Sequence, residues 1–164
     1  MGNYNYIVDD DPDLDEMEEG TLALQFGSHE PDDNERTILD FCTSLPFEDW
    51  GFELDTAQNS EYGTGVYLKH TESELLLFIG LSTPLLDEHP DFAFSVGINS
   101  SSTLDEKSCD KFGCIQVTDG NDGENWIYVP IKSESPSAEN PAPENLDKNI
   151  KSTFKTVGKI IKLL

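Results

Sequence analysis

Acidic residues are the side chains of this sequence whose type and spacing come closest to a known chemistry. The stretch DDDPDLDEMEE, residues 9–19, holds eight carboxylates in eleven positions, and its aspartates alternate as calcium ligands do. A calcium loop also needs glycine at its sixth position and glutamate at its twelfth, which are Leu14 and Gly20 when counting starts at Asp9. The pattern therefore favours a solvated acidic loop over a calcium site.

A second acidic stretch, TDGNDGEN at residues 118–125, fails the calcium pattern in the same way. Counting from Asp119, the sixth residue is Glu124, where glycine is required. Because loops expose charge without the constraints of a core, both stretches are expected to contact a partner. The expected partner-binding residues are Asp9, Asp10, Asp11, Asp13, Asp15, Glu16, Glu18, Glu19, Asp119, Asp122 and Glu124.

Cysteines and histidines form no recognisable metal or nucleophile pattern. These residues are Cys42, Cys109, Cys114, His29, His70 and His89. Four residues separate Cys109 from Cys114, whereas zinc sites usually show a CxxC or a paired-histidine spacing. The odd number of cysteines argues against a disulfide framework and favours a reducing cytoplasm. No metal and no cofactor are expected.

Known catalytic signatures are absent from the sequence. It has no P-loop, no GxGxxG, no GxSxG and no HExxH. One arrangement stays open, a nuclease-like sheet that holds magnesium with carboxylates and a lysine. Its residues would be Glu53, Asp55, Lys69 and Glu74. No catalytic residue is assigned, and the chain is not expected to be an enzyme.

Charge is unevenly distributed along the chain, whose formal net charge is −23. Residues 147–164 carry five lysines and one acid, a charge of +4, so the remaining residues carry −27. Such a body repels phosphate backbones within a Debye length of about 8 Å and attracts basic proteins. Direct nucleic-acid binding is therefore not expected. The simplest alternative is that the acidity only keeps the protein in solution.

Length and hydropathy predict one soluble domain, residues 1–164. A chain of 164 residues with 36% hydrophobic residues can bury its own core. No apolar run reaches the roughly 18–20 residues of a membrane helix, and the N-terminus lacks the features of a secretory signal. Neither membrane insertion nor secretion is expected.

Periodicity in the first half predicts two short strands, a helix and then a sheet. The strands are Tyr4–Val8 and Thr21–Phe26, and the helix covers residues 34–45 with Asp33 or Asn34 as its cap. The period then changes from about 3.6 to 2. The further strands are predicted at residues 52–56, 65–70, 74–82, 92–99, 114–117 and 126–131, with a short helix around residues 104–112.

Two of these strands carry specific expectations. The run LLLFI, residues 75–79, predicts a central strand covered on both faces. The strand at residues 92–99 alternates bulky and small side chains, so the face from Phe92 to Ile98 is expected in the core. Its small face, which includes Gly97, is expected to receive a helix or to form the floor of a shallow concavity.

The C-terminal region is predicted to be a linker followed by an amphipathic helix. Residues 133–143 are rich in proline and serine, and residues 145–164 form the helix, with Asn145 as its cap. The helix has an apolar stripe that should dock on the sheet, consisting of Ile150, Phe154, Val157, Ile161 and Leu164. A face of five lysines lies beside this stripe and should offset the acidic body.

Together these features predict an α+β fold. A mainly antiparallel, twisted sheet of about 5–7 strands should pack against a helix from the N-terminal half and against the C-terminal amphipathic helix. The expected function is that of an acidic protein inhibitor, a bacterial immunity protein that neutralises a basic toxin such as a nuclease. A phage-encoded DNA mimic that inhibits a restriction or CRISPR enzyme is the alternative, and the nuclease-like enzyme is the second. The oligomeric state stays open.

Overall fold

Six antiparallel strands form one sheet in the order β1-β2-β3-β4-β6-β5. The computed structural model describes residues 30–60, 63–118 and 125–164. The strands are β1 (Phe52–Ser60), β2 (Gly63–His70), β3 (Leu76–Ser82), β4 (Phe94–Ser100), β5 (Ile115–Thr118) and β6 (Asn125–Pro130). The α-helices in this part of the chain are α1 (Asp33–Thr43), α2 (Thr83–Glu88), α3 (Glu106–Phe112) and α4 (Leu146–Ile161).

This architecture confirms the predicted α+β fold, with one helix from the N-terminal half and the C-terminal helix packed on an antiparallel sheet. The predicted strands Tyr4–Val8 and Thr21–Phe26 lie outside the described residues. None of the helices that the structure describes combines the length and the apolar character needed to cross a membrane.

One face of the sheet, the inner face, is built from two rows of aliphatic side chains that cross four strands. Cross-strand pairing places these residues side by side, and all are buried: Leu68, Leu77, Ile98 and Ile127 in one row, and Val66, Ile79, Val96 and Val129 in the other. Helix α1 packs over β2 and β3, and α4 packs over β4 and β6. Each fully buried aliphatic side chain contributes about 1.5–3 kcal/mol to folding.

The start of α1 is fixed by a reciprocal pair of hydrogen bonds. The backbone N–H of Glu35 donates to the Asp32 carboxylate at 2.8 Å, and the backbone N–H of Asp32 donates to the Glu35 carboxylate at 2.9 Å. The cap is therefore Asp32, and the prediction of Asp33 or Asn34 was wrong. Several aspartates in succession satisfy the cap preference equally, and the position of Glu35 three residues later selects among them.

Helix α4 docks on the sheet through the predicted apolar stripe. Ile150, Phe154, Val157 and Ile161 are buried, and the Phe154 ring lies 4.7 Å from that of Trp50 and 5.3 Å from that of Phe52. The five lysines of the helix and its C-cap are exposed. Asn145 precedes the helix as predicted, but it adopts a left-handed conformation (φ 62°), and its side chain makes no capping bond.

Strand boundaries differ from the prediction where the chain turns. β4 begins at Phe94, because Phe92 belongs to a 3-10 turn at Pro90–Phe92, and helix α2 occupies part of what was expected to be a simple turn. β1 runs on to Ser60 beyond an irregularity between Leu54 and Ala57. The predicted short helix near residues 104–112 is confirmed as α3.

Segment 133–143 contains neither helix nor strand, and hydrogen bonds attach it to the domain at its middle and just before its first residue. The backbone N–H of Ala138 donates to the Asn34 side chain at 2.8 Å, which ties the middle of the segment to α1. Just before the segment, the Lys132 carbonyl accepts a hydrogen bond from the Asn149 side chain at 2.6 Å. These bonds hold the entry to α4 against the sheet.

Replacement of Phe154 by alanine should lower the free energy of unfolding by about 3–5 kcal/mol, because it removes a buried ring from contact with Phe47, Trp50 and Phe52. The matched change Lys155→Ala, at the exposed next position, should stay within about 0.5 kcal/mol. Urea unfolding of the two variants measures the difference. Equal stabilities would show that the helix is not part of the core.

Candidate functional site

The acidic residues expected to bind a partner lie outside the part of the chain that the structure describes. They are Asp9, Asp10, Asp11, Asp13, Asp15, Glu16, Glu18, Glu19, Asp119, Asp122 and Glu124. Their role stays a prediction. The structure does show where the second acidic stretch is anchored, because its flanking residues Thr118 and Asn125 are Cα partners at the end of the β5–β6 ladder.

One end of the sheet carries the acidic side chains of the β2–β3 connection. The β2–β3 connection carries Glu72 and Glu74, both exposed. Pairing from β2 through β3 and β4 to β6 places this connection at the same end of the sheet as Asn125. Thr118, the cross-strand partner of Asn125, therefore lies at that end as well. We call this the acidic end of the sheet.

The face of the sheet opposite the inner face carries a set of aromatic and apolar side chains. The cross-strand partners Tyr67, Phe78, Gly97 and Tyr128 form one row across β2, β3, β4 and β6. The next row, toward the acidic end, runs through Lys69, Leu76, Asn99, Trp126 and Val117. We define the aromatic face by five residues of these rows: Tyr67, Leu76, Phe78, Trp126 and Tyr128.

Gly97 allows two rings to lie over the middle of the sheet. A Cβ atom at Gly97 would stand 2.9 Å from Cε1 of Tyr128 and 3.1 Å from Cε3 of Trp126. The two rings are nearly parallel, with an interplanar angle of 17° and centroids 6.2 Å apart. Sequence reasoning expected a helix or a concavity over this small residue. The structure instead places these two rings next to it.

The tyrosines of the aromatic face are held in defined positions. The Tyr67 ring lies 5.1 Å from that of Phe78, and its hydroxyl donates to the Gln58 side-chain oxygen at 2.8 Å. Burial raises the pKa of Tyr128 to about 12, and charge repulsion from Tyr67 adds to the shift. The Tyr128 phenol therefore stays neutral at physiological pH and can donate a hydrogen bond.

Part of this face is accessible to a partner. Leu76 is 38% exposed, and Trp126, Tyr128 and Tyr67 are half-buried. Tryptophan and tyrosine are the residues most enriched among those that dominate binding energy in protein interfaces. Their rings offer a large apolar area with few rotatable bonds, and each carries a polar group. The arrangement is suited to contacting another protein.

The carboxylates of the nuclease-like alternative come together only in part. Glu53 is the cross-strand partner of Lys69, and the Lys69 ammonium lies 3.8 Å from the Glu74 carboxylate, all on the exposed surface. Asp55 lies at the irregularity of β1. Within residues 30–60, 63–118 and 125–164, no group of three or more acidic, histidine or cysteine side chains is arranged to hold a metal ion. The Lys69–Glu74 contact is an ordinary surface ion pair, worth about 0–1 kcal/mol.

The described histidines lie in or beside turns, and Cys42 lies in the core. His70 Nδ1 lies 2.6 Å from the Ser73 hydroxyl in the β2–β3 turn, and His89 follows α2 in a turn. Cys42 is fully buried on the side of α1 that faces the sheet, where burial raises the pKa of its thiol to about 12. His29 lies outside the described residues.

No protein-family model, curated protein or solved structure matches this chain. The aromatic face was not foreseen from the sequence, although a signal for it was present. Trp126 and Tyr128 alternate with the aliphatic residues of a strand, and Tyr67 does so on β2. Reading both faces of each strand together would have placed these rings on the side opposite the core.

Replacement of Gly97 by alanine should displace the Trp126 and Tyr128 rings and lower the free energy of unfolding by about 1–3 kcal/mol, because the new methyl group overlaps both rings. The near-ultraviolet circular dichroism spectrum should change with it. Gly158→Ala is the matched control. It adds the same methyl group inside α4 where no atom lies within 4 Å, and should raise stability by about 0.5–1 kcal/mol. An unchanged spectrum for Gly97→Ala would contradict the described packing.

Proposed function

We propose that this protein is an acidic inhibitor of the immunity-protein type, which binds and neutralises a basic toxin such as a nuclease in the bacterial cytoplasm. The observation that supports this proposal is a large excess of negative charge that is not neutralised within the domain. All ten lysine and arginine residues lie in the described part of the chain. There, only Arg36 and Lys69 form an ion pair with a described carboxylate.

A basic toxin is a fitting partner because nucleases must attract a polyanion. An enzyme that binds nucleic acid carries a positively charged cleft. A rigid acidic protein can occupy that cleft in place of the substrate, and opposite charges raise the rate of encounter by roughly 10- to 10³-fold. The negative charge of this protein would also repel other acidic proteins, so the same surface helps to exclude wrong partners.

The aromatic face provides the apolar contact that charge alone cannot supply. Stable interfaces combine a desolvated centre with a polar rim. Trp126 and Tyr128 supply such a centre, and Glu72 and Glu74 lie at the adjoining acidic end of the sheet. An arginine or lysine of the partner placed over the Trp126 ring would gain a cation–π contact of about 0.5–2 kcal/mol.

The partner can be identified and the inhibition measured in one sequence of experiments. The full chain is immobilised, bound proteins are eluted with salt and identified, and the eluted protein is purified. Its enzymatic activity should then be abolished by one equivalent of this chain. A captured restriction or CRISPR enzyme would point to a DNA mimic instead. Magnesium-dependent cleavage of DNA by the chain itself, lost in Glu74→Gln, would contradict the proposal.

Association with the basic partner should slow by roughly tenfold or more as salt rises from low to high concentration, because ions screen the attraction between the two proteins. Stopped-flow mixing measures this rate constant. A variant with the eleven predicted contact acids changed to asparagine or glutamine should lose most of this dependence while keeping its circular dichroism spectrum. A rate constant that does not respond to salt would exclude electrostatic steering.

Replacement of Trp126 by alanine should raise the dissociation constant by roughly 30-fold, the equivalent of about 2 kcal/mol, mainly through faster dissociation. Its salt dependence should remain unchanged. Leu163→Ala, which removes an apolar side chain that is 57% exposed and lies just after α4, is the control and should bind normally. Normal binding by Trp126→Ala would exclude the aromatic face from the interface.

A further inference from the structure

The end of helix α3 brings two cysteines into contact through its backbone geometry. Gly113 follows the helix in a left-handed conformation (φ 66°), which glycine adopts without strain. The N–H groups of Gly113 and Cys114 both donate to the Cys109 carbonyl, the latter at 3.1 Å. In helix endings of this kind the side chains three residues before the end and two residues after it touch. Here those side chains are Cys109 and Cys114.

The two cysteines are close enough that Cys109 contributes to the raised pKa of Cys114. The Cys109 Sγ accepts a hydrogen bond from the Gln116 side-chain amide at 3.2 Å. Gln116 is itself fixed, because it bonds both the N–H and the carbonyl of Leu104 at 2.7 Å. The helix end therefore places the two cysteines side by side, and Gln116 holds the Cys109 sulfur in position.

Access to solvent differs among the cysteines. Cys109 is half-buried, and Cys114 is buried at the start of β5. Cys42 lies apart from them, on α1 in the core, where its sulfur stands 3.8 Å from the Ile79 carbonyl. A reagent in solution can thus reach one thiol of a contacting pair, and the second thiol lies directly behind it.

We propose that Cys109 and Cys114 form a dithiol site that low-molecular-weight disulfides, such as oxidised glutathione, convert reversibly into an intramolecular disulfide. The Cys109 thiolate attacks one sulfur of the reagent, forming a mixed disulfide and releasing one thiol. Cys114 then loses its proton and attacks Cys109 Sγ, which forms the protein disulfide and releases the second thiol. Two protein thiols are oxidised, and one small disulfide is reduced to two thiols.

The environment of Cys114 governs the second step. Burial raises the pKa of Cys114 to about 12, and the neighbouring Cys109 adds to the shift by charge repulsion and hydrogen bonding. Once Cys109 is in a mixed disulfide it carries no charge, so that repulsion disappears. Below the pKa of Cys114, its thiolate fraction rises about tenfold per pH unit. Closure should therefore accelerate steadily with pH over the neutral and mildly alkaline range.

Oxidation would join the end of α3 to the start of β5. β5 leads directly into the acidic stretch at residues 119–124, so the disulfide would restrain one of the two strands that anchor it. This site is independent of the proposed inhibitory function, since it depends only on the contact between the two sulfur atoms. It is also compatible with the absence of a disulfide framework, because all three thiols are free in the structure.

The native full-length protein is incubated with oxidised glutathione, alkylated and digested with trypsin. Trypsin cuts after Lys111, between the two cysteines, so a disulfide leaves peptides 108–111 and 112–132 joined until they are reduced. We expect this joined pair, with Cys42 alkylated only after unfolding. Cys42→Ser should behave like the unchanged protein, and Cys114→Ser should stop at a glutathione adduct on Cys109.

Two results of this experiment would overturn the proposal, and a third would exclude its second step. In the first, the unchanged protein accumulates the Cys109–glutathione adduct to the same extent as Cys114→Ser. This would show that Cys114 cannot reach the mixed disulfide at Cys109. The second concerns the native protein after incubation with oxidised glutathione. If Cys109 and Cys114 are then still free thiols that alkylate fully, while all three cysteines of the urea-unfolded chain have reacted with glutathione, the native site is not reactive. A closure rate that is independent of pH between about 7 and 9 would exclude Cys114 as the attacking thiol.

Discussion

The burial of the inner face under α1 and α4 is the interaction on which the rest of the structure depends. Two rows of aliphatic side chains cross β2, β3, β4 and β6, and each helix covers two of these strands. Because side chains alternate along a strand, fixing this face inward fixes the other face outward. The aromatic rings and the acidic β2–β3 connection therefore occupy their positions as a consequence of core formation.

The core also has to outweigh electrostatic self-repulsion, since the chain carries a net charge of −23. Helix α4 brings five lysines to the surface, yet none forms an ion pair with a carboxylate in the part of the chain that the structure describes. Their attraction for the acidic residues of the rest of the chain acts through solvent and weakens with salt. The docking of α4 thus depends on Phe154 and its aliphatic neighbours, and the lysines only moderate the repulsion.

The sequence predicted the elements whose pattern is set by burial. The apolar run in β3, the alternation in β4 and the stripe of α4 follow directly from which side chains must leave water. The prediction was less accurate where several residues satisfy the same local rule, as at the cap of α1, or where the chain reorganises after a strand, as in α2. The contact of Cys109 with Cys114 could not be foreseen, because their spacing matches no metal motif and their proximity arises from the left-handed Gly113.

The position of α4 in the chain has a consequence for biosynthesis. β1 to β4 pair with their neighbours in sequence, so this part of the sheet can form from local contacts as the chain emerges from the ribosome. The inner face of β4 and β6, in contrast, packs against a helix that is synthesised after every strand the structure describes. Until residues 146–161 have left the exit tunnel, a nascent chain lacks the cover that α4 gives to Val96, Ile98 and Ile127. During that interval the growing polypeptide is a natural client for chaperones that recognise exposed aliphatic surface.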